Sequence, residues 1–155
     1  MKYKKITPSN IDQLIEMWKI LMGEHEKIEP KLYKLSSIAE SKQREFFTNG
    51  INSQEKFLYG AFDKNQLVGY AFGWIEERPP VLKMQKIGNL SDIVIDPKYR
   101  GKEIGKKLAD IFIDWSKKQG IKKVQLHVLF DKDAVGFYKK YGFRDFMRQM
   151  IIDIK

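Results

Sequence analysis

The run Asp96-Pro97-Lys98-Tyr99-Arg100-Gly101-Lys102-Glu103-Ile104-Gly105 sets a basic, glycine-containing turn between an apolar stretch, Ile93-Val94-Ile95, and a segment with helical periodicity. A strand that delivers such a turn to a helix N-terminus suits phosphate. The first amides of a helix lack intrahelical partners, and the macrodipole leaves partial positive charge there. Lys98, Arg100, Lys102, Lys106 and Lys107 add full charges around it. The turn is neither a Walker loop, which needs Gly-Lys-Ser/Thr, nor a Gly-x-Gly-x-x-Gly fingerprint. Taken alone it is only moderately specific, an ordinary strand-to-helix turn with surface lysines being its other reading.

Other chemistry-bearing residues narrow the field. The chain has no cysteine and two isolated histidines, so a disulfide framework, a thiolate metal site and a covalent acyl-cysteine are all excluded, and no metal is expected. Carboxylates gather around Glu24, His25, Glu26 and Glu29, and again at Glu76 and Glu77; Asp92 precedes the apolar stretch. Such carboxylates suit an ammonium group, although solvated charge is the commoner reading.

These residues must be positioned by a single domain, 1–155. Its 43% hydrophobic and 13% aromatic content supports a packed core. No apolar run approaches the roughly 18–20 residues of a membrane span, and no signal peptide opens the chain, so a cytoplasmic protein is expected. The formal charge of +9 is spread along the chain without an Arg-rich arm or an aromatic RNA-binding motif, so nucleic acid is not the expected partner.

Residues 2–7 read as a strand, and Ser9-Asn10-Ile11-Asp12 resembles a capping box before a helix carrying Ile11, Leu14, Ile15, Trp18, Leu21 and Met22 on one face. Residues 23–35 read as irregular and about 36–49 as a second helix. Residues 57–62 and 67–75 flank Asp63-Lys64-Asn65-Gln66 as a hairpin, followed by a loop near 76–80. A strand over 87–95, a helix over about 102–119, a strand over 123–129, a short helix near 132–141 and a strand over 143–154 complete the pattern. The order predicts an α/β fold whose mixed central sheet, partly antiparallel and partly parallel, is flanked by helices. Ligands in such sheets favour the C-terminal ends of strands beside a crossover helix, where the basic turn falls.

The segment Ile93 to Leu108 resembles motif A of the GCN5-related N-acetyltransferases, whose pattern is Arg/Gln-x-x-Gly-x-Gly/Ala. Residues 131–143, from Asp131 through Ala134 and Tyr138 to Gly142-Phe143, are similar to motif B, Asn-x-x-Ala-x-x-x-Tyr-x-x-x-Gly-Phe. The order of elements matches that fold from residue 2 to about 154. The resemblance implies acetyl-CoA as cofactor. Its pyrophosphate would lie on the turn (Arg100, Gly101, Lys102, Glu103, Ile104, Gly105, Lys106) and its pantetheine along the backbone of Ile93, Val94 and Ile95, with Asp131 and Ala134 alongside. It also implies Tyr138 as the acid that protonates the leaving thiolate; packing on the apolar face with Ala134 and Tyr141 is its other reading. The family's polyamine-acting members carry Glu-Asp before the cofactor strand segment. Here the pair is Ser91-Asp92, and Asp92 either engages the amine or its proton, or makes a strand-end hydrogen bond.

Two departures stand out. Glu103 occupies a usual glycine position, with helical φ/ψ and a solvent-directed side chain expected, and Asp131 replaces Asn. The expectation is an acetyl-CoA-dependent N-acetyltransferase that moves acetyl directly to a small cationic amine, with Glu24, His25, Glu29, Glu76 and Glu77 as acceptor-binding candidates. Acetylation of a protein lysine or N-terminal amine is the nearest alternative, and a non-catalytic acetyl-CoA sensor or nucleic-acid module another. The family also implies a possible homodimer through residues 147–154.

Overall fold

The computed structural model describes residues 1–130 and 132–154. A five-stranded sheet runs in the order β1 (Lys2–Lys5), β2 (Lys56–Asp63), β3 (Gln66–Glu77), β4 (Lys86–Ile95) and β5 (Val124–Gln125). The first four strands are antiparallel neighbours, and β5 joins β4 in parallel. Helices α1 (Ile11–Ile28), α2 (Pro30–Tyr33) and α3 (Ala39–Ile51) precede β2; α4 (Ile104–Lys118) crosses from β4 to β5, and α5 (Lys132–Tyr141) follows. The mixed α/β architecture expected from the sequence is the one observed.

Strand alternation splits the core between the two faces of the sheet. Leu58, Tyr70, Phe72 and Val94 meet Leu14, Ile15, Trp18 and Phe47 of α1 and α3 on one face. Phe57, Ala71 and Leu90 meet Ile104, Leu108 and Phe112 of α4 on the other. Each fully buried Leu, Ile, Val or Phe among them contributes about 1.5–3 kcal/mol. Gly73 is required where α4 lies closest to the sheet: a Cβ there would stand 2.5 Å from the Phe112 ring and 2.6 Å from the Asn89 carbonyl.

The register between β3 and β4 slips after Phe72–Asp92, so Gly73 faces Leu90 and Ser91 is left as the extra residue of a bulge. That bulge turns Asp92 and Val94 to the α1–α3 face. On its other edge β4 meets β5 only through Gly88–Val124 and Asn89–Gln125. From Leu90 onward that edge has no paired strand among the described residues.

Several local expectations are corrected. The stretch 23–35 is largely helical: α1 continues to Ile28 because Leu21 and Met22 still pack on the core, and Pro30 then opens α2. The entry to α1 is organised by Thr7, whose amide donates to Asn10 Oδ1 at 3.1 Å, rather than by Ser9. The strand expected over 123–129 pairs only at Val124–Gln125. Residues 143–154 form no strand, being paired to no ladder among the described residues; Phe146, Met147, Met150, Ile152 and Ile154 are exposed. No helix among the described residues is long and apolar enough to cross a membrane.

Candidate active site

A cleft of about 900 Å³ lies between the C-terminal end of β4, the N-terminus of α4, α5 and the end of α1. The basic turn forms its floor. Asp96 Oδ1 accepts from the Lys98 amide at 2.9 Å, Tyr99 Oη donates to Asp63 at 2.9 Å, and the Asp96 amide bonds to the Val68 carbonyl at 2.9 Å. The turn is thus pinned to the β2–β3 hairpin before the chain enters α4. Gly101 supplies a φ of +75°, which side-chain-bearing residues rarely adopt.

The first main-chain bond of α4 runs from the Lys107 amide to the Glu103 carbonyl, at 3.0 Å. The amides of Gly101 through Lys106 have no acceptor among the described residues. With Gly101, Gly105 and Lys106 lining the cleft beside them, these donors fit an anionic phosphate chain. The open edge of β4 presents Ile93, Val94 and Ile95 to the same cleft, a surface able to hydrogen-bond an extended amide-bearing arm. The residues present therefore fit the two ends of acetyl-CoA.

Most of the cofactor residues read from the sequence come together here. Ile93, Val94, Ile95, Arg100, Gly101, Glu103, Ile104, Gly105, Lys106 and Ala134 line the cleft. Lys102 does not; its ammonium lies over the Tyr99 ring, 4.7 Å from the centroid. Asp131 lies outside the described residues. The expectation for Glu103 is corrected: it sits at φ 58°, ψ 10°, left-handed rather than helical, as the residue before α4. The usual glycine at this position is thereby explained. The Glu103 side chain is nonetheless largely exposed, as expected.

Tyr138 lines the cleft from α5. Burial first, and then the charge of Asp92, push its phenol up to about 12, so at neutral pH it is a proton donor. Asp92, half-buried at the bulge, accepts from Ser91 Oγ at 2.9 Å on Oδ1 and from Tyr70 Oη at 3.3 Å on Oδ2. Burial raises its pKa, while the two hydrogen bonds oppose the rise. A carboxylate whose proton affinity is raised by burial thus lies near a phenol that keeps its proton.

The acceptor candidates separate. Glu24 lines the cleft but bonds to Arg100 Nη2 at 2.5 Å. His25 is in α1 rather than a loop, 5.0 Å from the Tyr33 ring, with its pKa lowered by burial against the opposing charge of Glu24. Glu29 bridges α1 and α2, its carbonyl taking the Leu32 and Tyr33 amides. Glu76 and Glu77 belong to β3, not a loop. Glu76 accepts from Gln125 and Glu77 pairs with Lys86, and neither lines the cleft. The sequence reading missed Phe137, Tyr70 and Tyr141, whose hydroxyl donates to Asp110 at 2.7 Å. Phe137 and Tyr141 share the helical face of Tyr138, which was the available signal; nothing local singled out Tyr70.

A mixed sheet whose β4 edge is unpaired beside an amide-lined turn, with a protonated tyrosine in the same cleft, fits a phosphate-bearing ligand with an extended amide arm. The match to known proteins agrees: residues 14–143 fit the model of the Acetyltransferase (GNAT) family. The chain belongs to that family, whose members are acetyl-CoA-dependent acyltransferases. Over 68 residues it is 38% identical to a glucosamine 6-phosphate N-acetyltransferase of Trypanosoma brucei brucei, covering 44% of this chain and 45% of that one. The counterpart from Arabidopsis thaliana is 35% identical over 65 residues, 42% of each chain. The chain thus aligns with less than half the length of these relatives. Among solved structures, a predicted acetyltransferase from Clostridium acetobutylicum with acetyl-CoA superposes with a TM-score of 0.81 at 24% identity, covering 98% of this chain and 95% of that one. An aminoglycoside 6'-N-acetyltransferase from Acinetobacter haemolyticus gives 0.77 at 15% identity, covering 100% and 99%. At those identities the likeness is one of fold.

Proposed function

We propose that this protein is an N-acetyltransferase that carries the acetyl group of acetyl-CoA directly to the primary amine of a small, cationic molecule. One observation carries the reading: the unpaired amides of Gly101 to Lys106, the open edge of β4 and Tyr138 line one cleft, with Asp92 outside its lining but near enough for its charge to act on Tyr138. Acetyl-CoA supplies the activated acetyl thioester. The turn holds the anionic end and the β4 edge the amide arm. Asp92 takes one proton from the amine nitrogen as it bonds to the acetyl carbon. Tyr138 would give its proton to the departing thiolate, and exchange with solvent would restore both side chains. The small-molecule acceptor is supported by relatives named for an amino-sugar phosphate and, in fold, for aminoglycosides.

The test is release of CoA thiol from acetyl-CoA with a panel of amines: glucosamine 6-phosphate, an aminoglycoside, a polyamine and a lysine peptide. Turnover with a small amine supports the reading. Turnover with the peptide alone moves the acceptor to protein lysines. Tight cofactor binding with no turnover leaves a sensor, and steeply salt-dependent duplex binding a nucleic-acid module. We infer a cytoplasmic enzyme, consistent with its acetyl donor, and a homodimer that covers the exposed apolar side chains of 146–154. Sedimentation tests the dimer: a monomer at micromolar concentration excludes it.

A further inference from the structure

We propose that Tyr70 is a positioning residue for Asp92, holding its carboxylate beside the cleft in the orientation and ionised form in which it takes the amine proton. This rests on the reading of Asp92 as the base. Tyr70 stands on β3 opposite Val94, fully buried, with its ring edge-on to Phe47 at 6.0 Å. Its packing is that of a phenylalanine. The hydroxyl is the part that packing does not require, and a buried hydroxyl costs stability unless it is hydrogen-bonded. Its acceptor is Asp92 Oδ2, at 3.3 Å.

The second carboxylate oxygen is held by Ser91, the bulge residue, at 2.9 Å. One donor lies on each oxygen, leaving a lone pair on each for the amine. The bulge and Tyr70 are linked by register: the slip after Phe72–Asp92 carries Asp92 to the face where Tyr70 points, diagonal to it across the β3–β4 pair. Among the described residues the groups facing this carboxylate are Tyr70 from β3, Ser91 from β4 and Tyr138 from α5. The titratable groups at the end of α1 are engaged elsewhere, Glu24 by Arg100 and His25 against Tyr33. From α3 the neighbour of Tyr70 is Phe47. Tyr70 and Ser91 are therefore the donors that oppose the burial of this carboxylate.

The experiment is a pH titration of carboxyl-13C-aspartate-labelled protein by NMR, with the Asp92 signal identified by its loss in Asp92→Asn. In Tyr70→Phe the Asp92 midpoint is expected to rise by about half a pH unit to one unit, the worth of one hydrogen bond. The acidic limb of kcat/KM with the fastest panel amine moves with it. A folded Tyr70→Phe with an unchanged or lower midpoint overturns the proposal, since a purely structural tyrosine would lower activity without moving the limb. Should Tyr70→Phe fail to fold, 3-fluorotyrosine at position 70 gives a stronger donor and must lower the midpoint; an unchanged value overturns the proposal equally. The base reading fails separately: Asp92→Asn with wild-type thiol release removes the role of Asp92 whatever the midpoint does.

Discussion

Glu24 at the end of α1 and Arg100 in the basic turn meet across the mouth of the cleft, Oε1 to Nη2 at 2.5 Å, while Arg100 Nε donates to the Ile95 carbonyl at 3.2 Å. The cation best placed for a phosphate is thus already shared with a carboxylate. Both side chains are partly solvent-exposed, so the pair is worth about 0.2–1 kcal/mol. Glu24→Gln frees the guanidinium and removes a negative charge from the cleft. Calorimetry should find acetyl-CoA binding tightened about two- to five-fold at low ionic strength, with a smaller gain at high salt. Weaker binding in Glu24→Gln would mean that the carboxylate orients Arg100 for the ligand rather than competing for it.

Glu103 sits at φ 58° immediately before α4 with no capping bond from its side chain. A left-handed conformation costs a residue with a Cβ about 1–2 kcal/mol, part of which glycine returns through its greater freedom when unfolded. Glu103→Gly should therefore stabilise the protein by up to about 1 kcal/mol in urea melts. Acetyl-CoA affinity should hold or improve, because the amide keeps its direction while a carboxylate leaves the turn. A marked loss of affinity would show that the side chain, exposed as it is, contributes to the site.

The parts of the fold legible in the sequence were those set by local pattern. The face of α1 from Ile11 to Trp18, the hairpin around Asp63 to Gln66 and the turn before α4 all announce themselves through periodicity or turn chemistry. What escaped depends on partners distant in sequence. Residues 143–154 have strand-like composition, yet composition cannot supply a neighbouring strand. Tyr70 is one aromatic in an apolar strand, and only the slip at Ser91 and Asp92, a property of two paired strands, gives its hydroxyl a carboxylate. The left-handed φ of Glu103 was masked because glutamate is an ordinary first-turn residue of a helix.

Tyr138 is held in its protonated form by burial and by the charge of Asp92, which together push it up to about 12. Tyr138→Phe keeps the ring and removes the proton. It should lower kcat about ten-fold or more, the range of acid catalysis, with the acetyl-CoA dissociation constant unchanged. The wild-type rate should show no alkaline loss from this residue until pH approaches that value. An unchanged kcat in Tyr138→Phe would leave the tyrosine with packing alone.

The Asp92 carboxyl is raised above its ordinary range by burial, with Ser91 and Tyr70 opposing. Between the unfolded and folded pKa values the native state therefore binds the proton more tightly than the unfolded chain. The stability this contributes is full below the ordinary aspartate pKa and is lost as pH rises through the folded value. Asp92→Asn removes that dependence while keeping an oxygen that can accept from Tyr70 and Ser91. In urea melts at a series of pH values, the stability of Asp92→Asn relative to wild type should climb through this window and level off above it. A flat difference would mean that folding leaves the proton affinity of Asp92 unchanged, and a falling one that the folded protein favours the carboxylate; either would remove the raised proton affinity that suits Asp92 to act as a base.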